Sequence, residues 1–134
     1  MGQSDFRIEL ASNPDSAGVA RRFVAEHADS LPADLVEDAA LLVSELVTNA
    51  VRYGRPAITL RVRLQPPLIG VEVHDEGEML PAAVPDRVLP TARSGRGLVI
   101  VDQVSSAWGV TPTHAPPGKT VWFRLEPSDG GMTR

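Results

Sequence analysis

The stretch SELVTNAVRYG (residues 44–54) closes a longer run that begins at Ala33. Within that run Leu35, Ala39, Leu42, Val43, Leu46, Val47 and Ala50 recur at intervals of three and four. Such spacing puts the apolar residues on one stripe of a helix, and it predicts an amphipathic helix over about 33–53. Tyr53-Gly54-Arg55-Pro56 ends it, with Gly54 placed as a left-handed C-cap. Glu45 and Asn49 stand one turn apart and share a face, with Asp38 and Arg52 near it. A carboxylate and a carboxamide so related offer hard oxygen ligands for Mg²⁺, or a base beside a ligand. The plainer alternative is a solvated polar face. Asn is a poor mid-helix residue, however, and Asn49 sits between Val47 and Val51 in a run otherwise rich in good helix formers.

Working outward, residues 6–11 alternate (Phe6, Ile8 and Leu10 against Arg7, Glu9 and Ala11), which predicts a half-buried strand. Pro14 takes a first helical position before a helix over 15–29. Downstream, Ile58, Leu60, Val62 and Leu64 alternate, as do Val71 and Val73. Pro66-Pro67 lies between the two runs, which read as a hairpin-like pair. From Glu76 to Ser94 no period holds. A stretch that long is a lid or binding loop, or else a disordered insertion. After Gly95-Arg96-Gly97 the spacing of Leu98, Val101, Val104 and Trp108 predicts a helix ended by Gly109. A short strand begins at Val110, and Thr120–Leu125 forms the last strand. The tail 127–134 is polar and reads as frayed. The order β, α, α, β, β, long loop, α, β, β predicts a two-layer α/β sandwich. Its sheet is mixed but mostly antiparallel, and its helices lie on one face.

Composition narrows the function. The 134 residues carry a net charge of −4, which argues against a general nucleic-acid binder. There is no cysteine, hence no disulfide, thiolate metal site or cysteine nucleophile. No apolar run approaches a membrane span. The polar start MGQSDFRIEL has no signal-peptide core, and Phe6 stands where a myristoylation motif needs Ser or Thr. The expectation is one cytoplasmic domain with a core of Leu, Val, Ile and Ala, since aromatics are only 4%.

Three further segments carry chemistry. Asp75-Glu76-Gly77 follows a strand directly. An Asp there can accept from an exocyclic amine, and Gly77 lets backbone approach a flat ligand; the plain alternative is a turn. Gly95-Arg96-Gly97 opens a helix whose bare amides, with Arg93 and Arg96, suit phosphate; the alternative is a hinge. Gly118-Lys119-Thr120 is not a P-loop, because Thr113 replaces the first glycine and strand alternation follows. Lys119 is expected to be exposed. His27, His74 and His114 share no metal spacing.

Taken in order, SELVTNAVRYG (44–54), DEG (75–77), SGRGLVIV (94–101) and GKTVWFRL (118–125) resemble the motifs of the GHKL ATPase superfamily, which has the Bergerat ATP-binding fold. The short chain is most similar to the branch of anti-sigma-factor serine kinases. The resemblance spans about residues 6–126. It implies ATP and Mg²⁺ as cofactors, with Asn49 on the metal and Glu45 as general base toward a serine of an antagonist protein. It implies Asp75 on the adenine amine and Gly77 lining the base pocket. It also implies Gly95, Gly97 and Leu98 at the phosphate-binding helix start, Thr120 helping to hold adenine, and residues 76–94 as the ATP lid. The partners implied are a sigma factor or an anti-anti-sigma factor, with homodimerisation known in the family; no contact with nucleic acid or membrane is expected. Where the superfamily commonly has a second glycine after Asp-x-Gly, this chain has Met79. That departure motivates an alternative, a nucleotide-gated interaction module with little turnover. A structural domain without nucleotide is the third reading.

Overall fold

The computed structural model describes residues 3–77 and 96–127, with the backbone alone at 96 and 97. The elements run β1 (Ser4–Leu10), α1 (Ser16–His27), α2 (Ala33–Tyr53), β2 (Ile58–Gln65), β3 (Leu68–Asp75), α3 (Arg96–Val104), β4 (Ala107–His114) and β5 (Pro117–Leu125). The predicted loop 76–94 lies outside the described residues except for Glu76 and Gly77, and so does nearly all of the tail.

The five strands form one sheet in the order β1-β2-β3-β5-β4, and every neighbouring pair is antiparallel. Alternation sets its two faces. In β2 Ile58, Leu60, Val62 and Leu64 are buried, and in β3 Ile69, Val71, Val73 and Asp75. In β5 the buried set is Lys119, Val121, Phe123 and Leu125, together with Gly118 at the turn. These side chains meet Ala20 and Val24 of α1, the apolar stripe of α2, and Leu98 and Val101 of α3 in one core. That is the expected two-layer sandwich. Phe123 is the one aromatic among the fully buried side chains of the described residues, so the core is aliphatic, as the composition implied. Truncating Leu42 or Leu46 to Ala would cost about 2–5 kcal/mol through lost transfer and a residual cavity.

α2 spans the predicted 33–53. Its end differs from the expectation: Gly54 has φ −99° and ψ −160°, which is extended rather than left-handed. Glycine is needed there for a close approach described below. The helix predicted through Trp108 also ends early, at Val104. The Ser105 hydroxyl donates back to the Val101 carbonyl, and the Ser106 amide donates to Arg124 of β5. The chain thus joins the sheet, and Trp108 pairs with Phe123. Gly109 is not a helix stop. It lies opposite Trp122, whose ring would sit 2.9 Å from any Cβ placed there.

Candidate functional site

The sharpest chemical feature sits where α2, β3 and β5 meet. Asp75 is the last residue of β3 and points to the helix side of the sheet, 1% exposed. Its Oδ1 accepts from three donors: the Gly77 amide at 2.7 Å, the Arg55 amide at 3.2 Å and the Lys119 ammonium at 3.0 Å. None of these three bonds reaches Oδ2. Lys119 also donates to the Gly77 carbonyl at 3.3 Å. Two backbone segments and one strand therefore fix a single carboxylate.

Glycines make the cage possible. A Cβ on Gly54 would lie 2.4 Å from the Asp75 carboxyl, and one on Gly77 would lie 3.0 Å from Oδ1. Gly118 has φ +129°, and a Cβ there would run into the Asp75 carbonyl. Backbone from three places thus closes on one aspartate.

Beside this carboxylate a narrow cleft of about 10 Å³, room for roughly one water, is lined by Leu46, Asn49, Ala50, Tyr53, Val73, Asp75, Lys119 and Val121. The Asn49 amide nitrogen is buried, with no hydrogen-bond partner among the described residues. Buried polar groups are nearly always satisfied, so an orphan beside a fixed carboxylate makes this cleft the candidate site. The cleft is apolar on its walls and polar at few points, the make-up, though not the volume, of a small-molecule site.

Of the residues singled out by sequence, the structure brings Asn49, Asp75 and Gly77 together. Glu45 is half-buried one turn before Asn49 on α2. The α3 backbone does open at Arg96-Gly97, and Leu98 is a buried core residue that anchors this helix start. Arg93 and Gly95 lie outside the described residues, as does the Arg96 side chain. Thr120 does not join the cluster: strand alternation turns it to the opposite face, paired with His74, in an open polar groove. Lys119 is not exposed; it is 4% exposed and ion-paired to Asp75. The signal for this was available. Carrying the alternation of Leu125, Phe123 and Val121 back by one step places Lys119 on the buried face.

Among the described residues no cluster of three or more His, Asp or Glu side chains could hold a metal, and no helix is long and apolar enough to cross a membrane. Asn49 could serve as one oxygen ligand to a cation whose other ligands come from a bound anion and water.

No curated protein matches the chain. Among solved structures it is similar to the RsbU and RsbW domains of Rv1364c from Mycobacterium tuberculosis, with a TM-score of 0.67 and 18% identity, over 92% of this chain and 32% of that one. It is also similar to the histidine kinase domain of the Erythrobacter litoralis blue-light activated histidine kinase, with a TM-score of 0.56 and 19% identity, over 89% of this chain and 63% of that one. The chain thus spans a third to under two thirds of those solved chains, and at these identities the likeness is one of fold. The model of the histidine kinase-like ATPase domain matches residues 10–125. With most of its length matched by that model, the chain belongs to the histidine kinase-like ATPase domain family.

Proposed function

We propose that this chain binds ATP with Mg²⁺ and acts as a regulatory protein-serine/threonine kinase and anti-sigma factor on an antagonist protein in the cytoplasm. The observation that carries the nucleotide part is the caged Asp75 beside the orphaned Asn49 amide. A buried carboxylate with one oxygen saturated is a fixed acceptor for an exocyclic amine. Asn49 would hold Mg²⁺ through its amide oxygen, and the metal would offset phosphate charge. Glu45, one turn away on the same helix, would take the proton from the acceptor serine. As that serine oxygen bonds to the γ-phosphorus, the bond from the γ-phosphorus to the β–γ bridging oxygen breaks and ADP leaves. The family and the fold likeness support an ATPase-type domain; the kinase step and the sigma-factor partner are inferred from the motif resemblance.

Calorimetry with Mg-ATP tests the first part, since folded protein that takes up no millimolar ATP would end this reading. Incubation with Mg-ATP and the antagonist protein tests the second. Phosphoserine should form with the native chain and be lost in Glu45→Ala, while Glu45→Ala still binds ATP. A second reading, nucleotide-gated binding without turnover, is favoured by Met79 in place of the second motif glycine. It predicts partner affinity that changes with ATP while no ADP appears.

A further inference from the structure

The Asp75–Lys119 pair poses a question that the nucleotide reading leaves open. A buried ion pair is weak evidence for stability, since apolar residues of similar volume generally do as well or better. Yet the strand that otherwise buries Val121, Phe123 and Leu125 buries a lysine at the one register position facing Asp75. Both members of the pair line the same narrow cleft as Asn49. The ammonium has three N–H groups; one goes to Asp75 Oδ1 and one to the Gly77 carbonyl. On the carboxylate side the three donors among the described residues all take Oδ1. Two residues that line the cleft thus set an oxygen that can only accept beside an ammonium that can only donate.

We propose that Lys119 is a base-recognition residue of this site. In this arrangement Asp75 Oδ2 accepts from the exocyclic amine of a 6-aminopurine, and the third N–H of Lys119 donates to the adjacent ring nitrogen, N1. The proposal rests on the nucleotide reading above. Its physical content is complementarity along one edge: a 6-aminopurine carries a donor next to an acceptor, and the pair offers an acceptor next to a donor. The 6-oxopurine edge carries the reverse order, which in the same pose sets carbonyl oxygen against carboxylate. The apolar walls Leu46, Val73 and Val121 keep both charges out of bulk water, where their hydrogen bonds to a ligand would count for little.

The test uses a ligand altered at one atom, 1-deaza-ATP, in which a C–H replaces N1. By calorimetry the native chain should bind Mg-1-deaza-ATP about tenfold more weakly than Mg-ATP, as expected for loss of one charge-assisted hydrogen bond. Lys119→Met should bind the two within about twofold of each other, because the donor that distinguishes them is gone. Thermal melting establishes that the variant is folded. If it is not, Lys119→Gln keeps a neutral donor and should show a ratio of about threefold. Equal affinities in the native chain would overturn the proposal. So would a tenfold ratio that persists in Lys119→Met or Lys119→Gln, which would leave Lys119 a merely structural partner of Asp75. Folded native chain that binds neither nucleotide removes the nucleotide reading itself, a different result from equal binding of both.

Discussion

Gly54 and Asp75 are in such close approach that a Cβ on Gly54 would fall 2.4 Å from Asp75 Oδ1 and 2.6 Å from Oδ2. The end of α2 and the end of β3 thus meet with no side chain between them. The helix that carries Glu45 and Asn49 is docked directly on the carboxylate, so their relative placement depends on that one missing methyl group.

Gly54→Ala should therefore disturb Asp75. A Cβ in that space forces backbone or carboxylate to move, at a cost of about 1–3 kcal/mol. Urea unfolding should show a lower midpoint, and calorimetry a weaker ATP affinity. Gly18→Ala is the contrast. Gly18 lies inside α1, and a Cβ there would meet only the ends of Arg21 and Arg22 at 3.4 Å and 3.6 Å. It should raise stability by up to about 1 kcal/mol through helix propensity. Equal effects from the two substitutions would remove the special status of Gly54.

Replacing the orphaned amide should separate stability from binding. Asn49→Leu removes a buried nitrogen that has no partner among the described residues. Stability should be unchanged or rise by about 1–2 kcal/mol, while Mg-ATP binding is lost. A melting temperature that falls by several degrees would show that Asn49 is structural.

Breaking the ion pair from the acid side should be costly. Asp75→Asn leaves the Lys119 ammonium buried beside a neutral amide, a loss of about 3–5 kcal/mol. The double variant Asp75→Asn with Lys119→Met should recover much of it, giving a large coupling energy in a double-mutant cycle. Additive losses in urea titrations would mean that the two groups do not act as a pair.

On the outer face of the sheet, Arg61 grips Asp5 with Nε and an Nη at 2.7–3.2 Å. The Arg61 hydrogen bonds hold the Asp5 carboxyl below its ordinary value, even against a small opposing effect of burial, with the charges of Arg61, Arg63 and Arg7 adding to the lowering. A carboxyl depressed in the folded state binds fewer protons there than in the unfolded chain. Its contribution is full above the ordinary carboxyl value and is lost as pH falls through the depressed one. Asp5→Asn should flatten the acid limb of the stability curve below about pH 4. At neutral pH the change should be under about 1 kcal/mol, because both side chains are about one third exposed. An acid limb identical to that of the native chain would show that the pair contributes nothing.

Much of the fold was legible from local pattern. The three-and-four spacing from Leu35 to Ala50 marked α2 over about 33–53, and the helix runs Ala33–Tyr53, because that stripe is buried as one face. Alternation in 58–64 and 71–74 likewise placed β2 and β3, the latter without its start at Leu68. The segment after Val104 was not legible. Its apolar residues fit a helical face through Trp108, and only pairing with β5 turns Ala107–His114 into a strand. Local periodicity cannot report a competing partner that lies downstream in the chain.

The site divides along the same line. Sequence by itself determined which residues can do chemistry and that Glu45 and Asn49 share a helix face, since one turn of helix sets their spacing. It also placed Asp75 at a strand end with Gly77 after it. Only the tertiary structure decided that Lys119 rather than Thr120 meets Asp75, because the register between β3 and β5 sets which face each residue shares. It alone showed that Gly54, Gly77 and Gly118 close around one carboxylate. The physical reason is range: helix and strand periods act over a few residues, whereas the charge and close packing that make a recognition site join groups 20 to 44 residues apart.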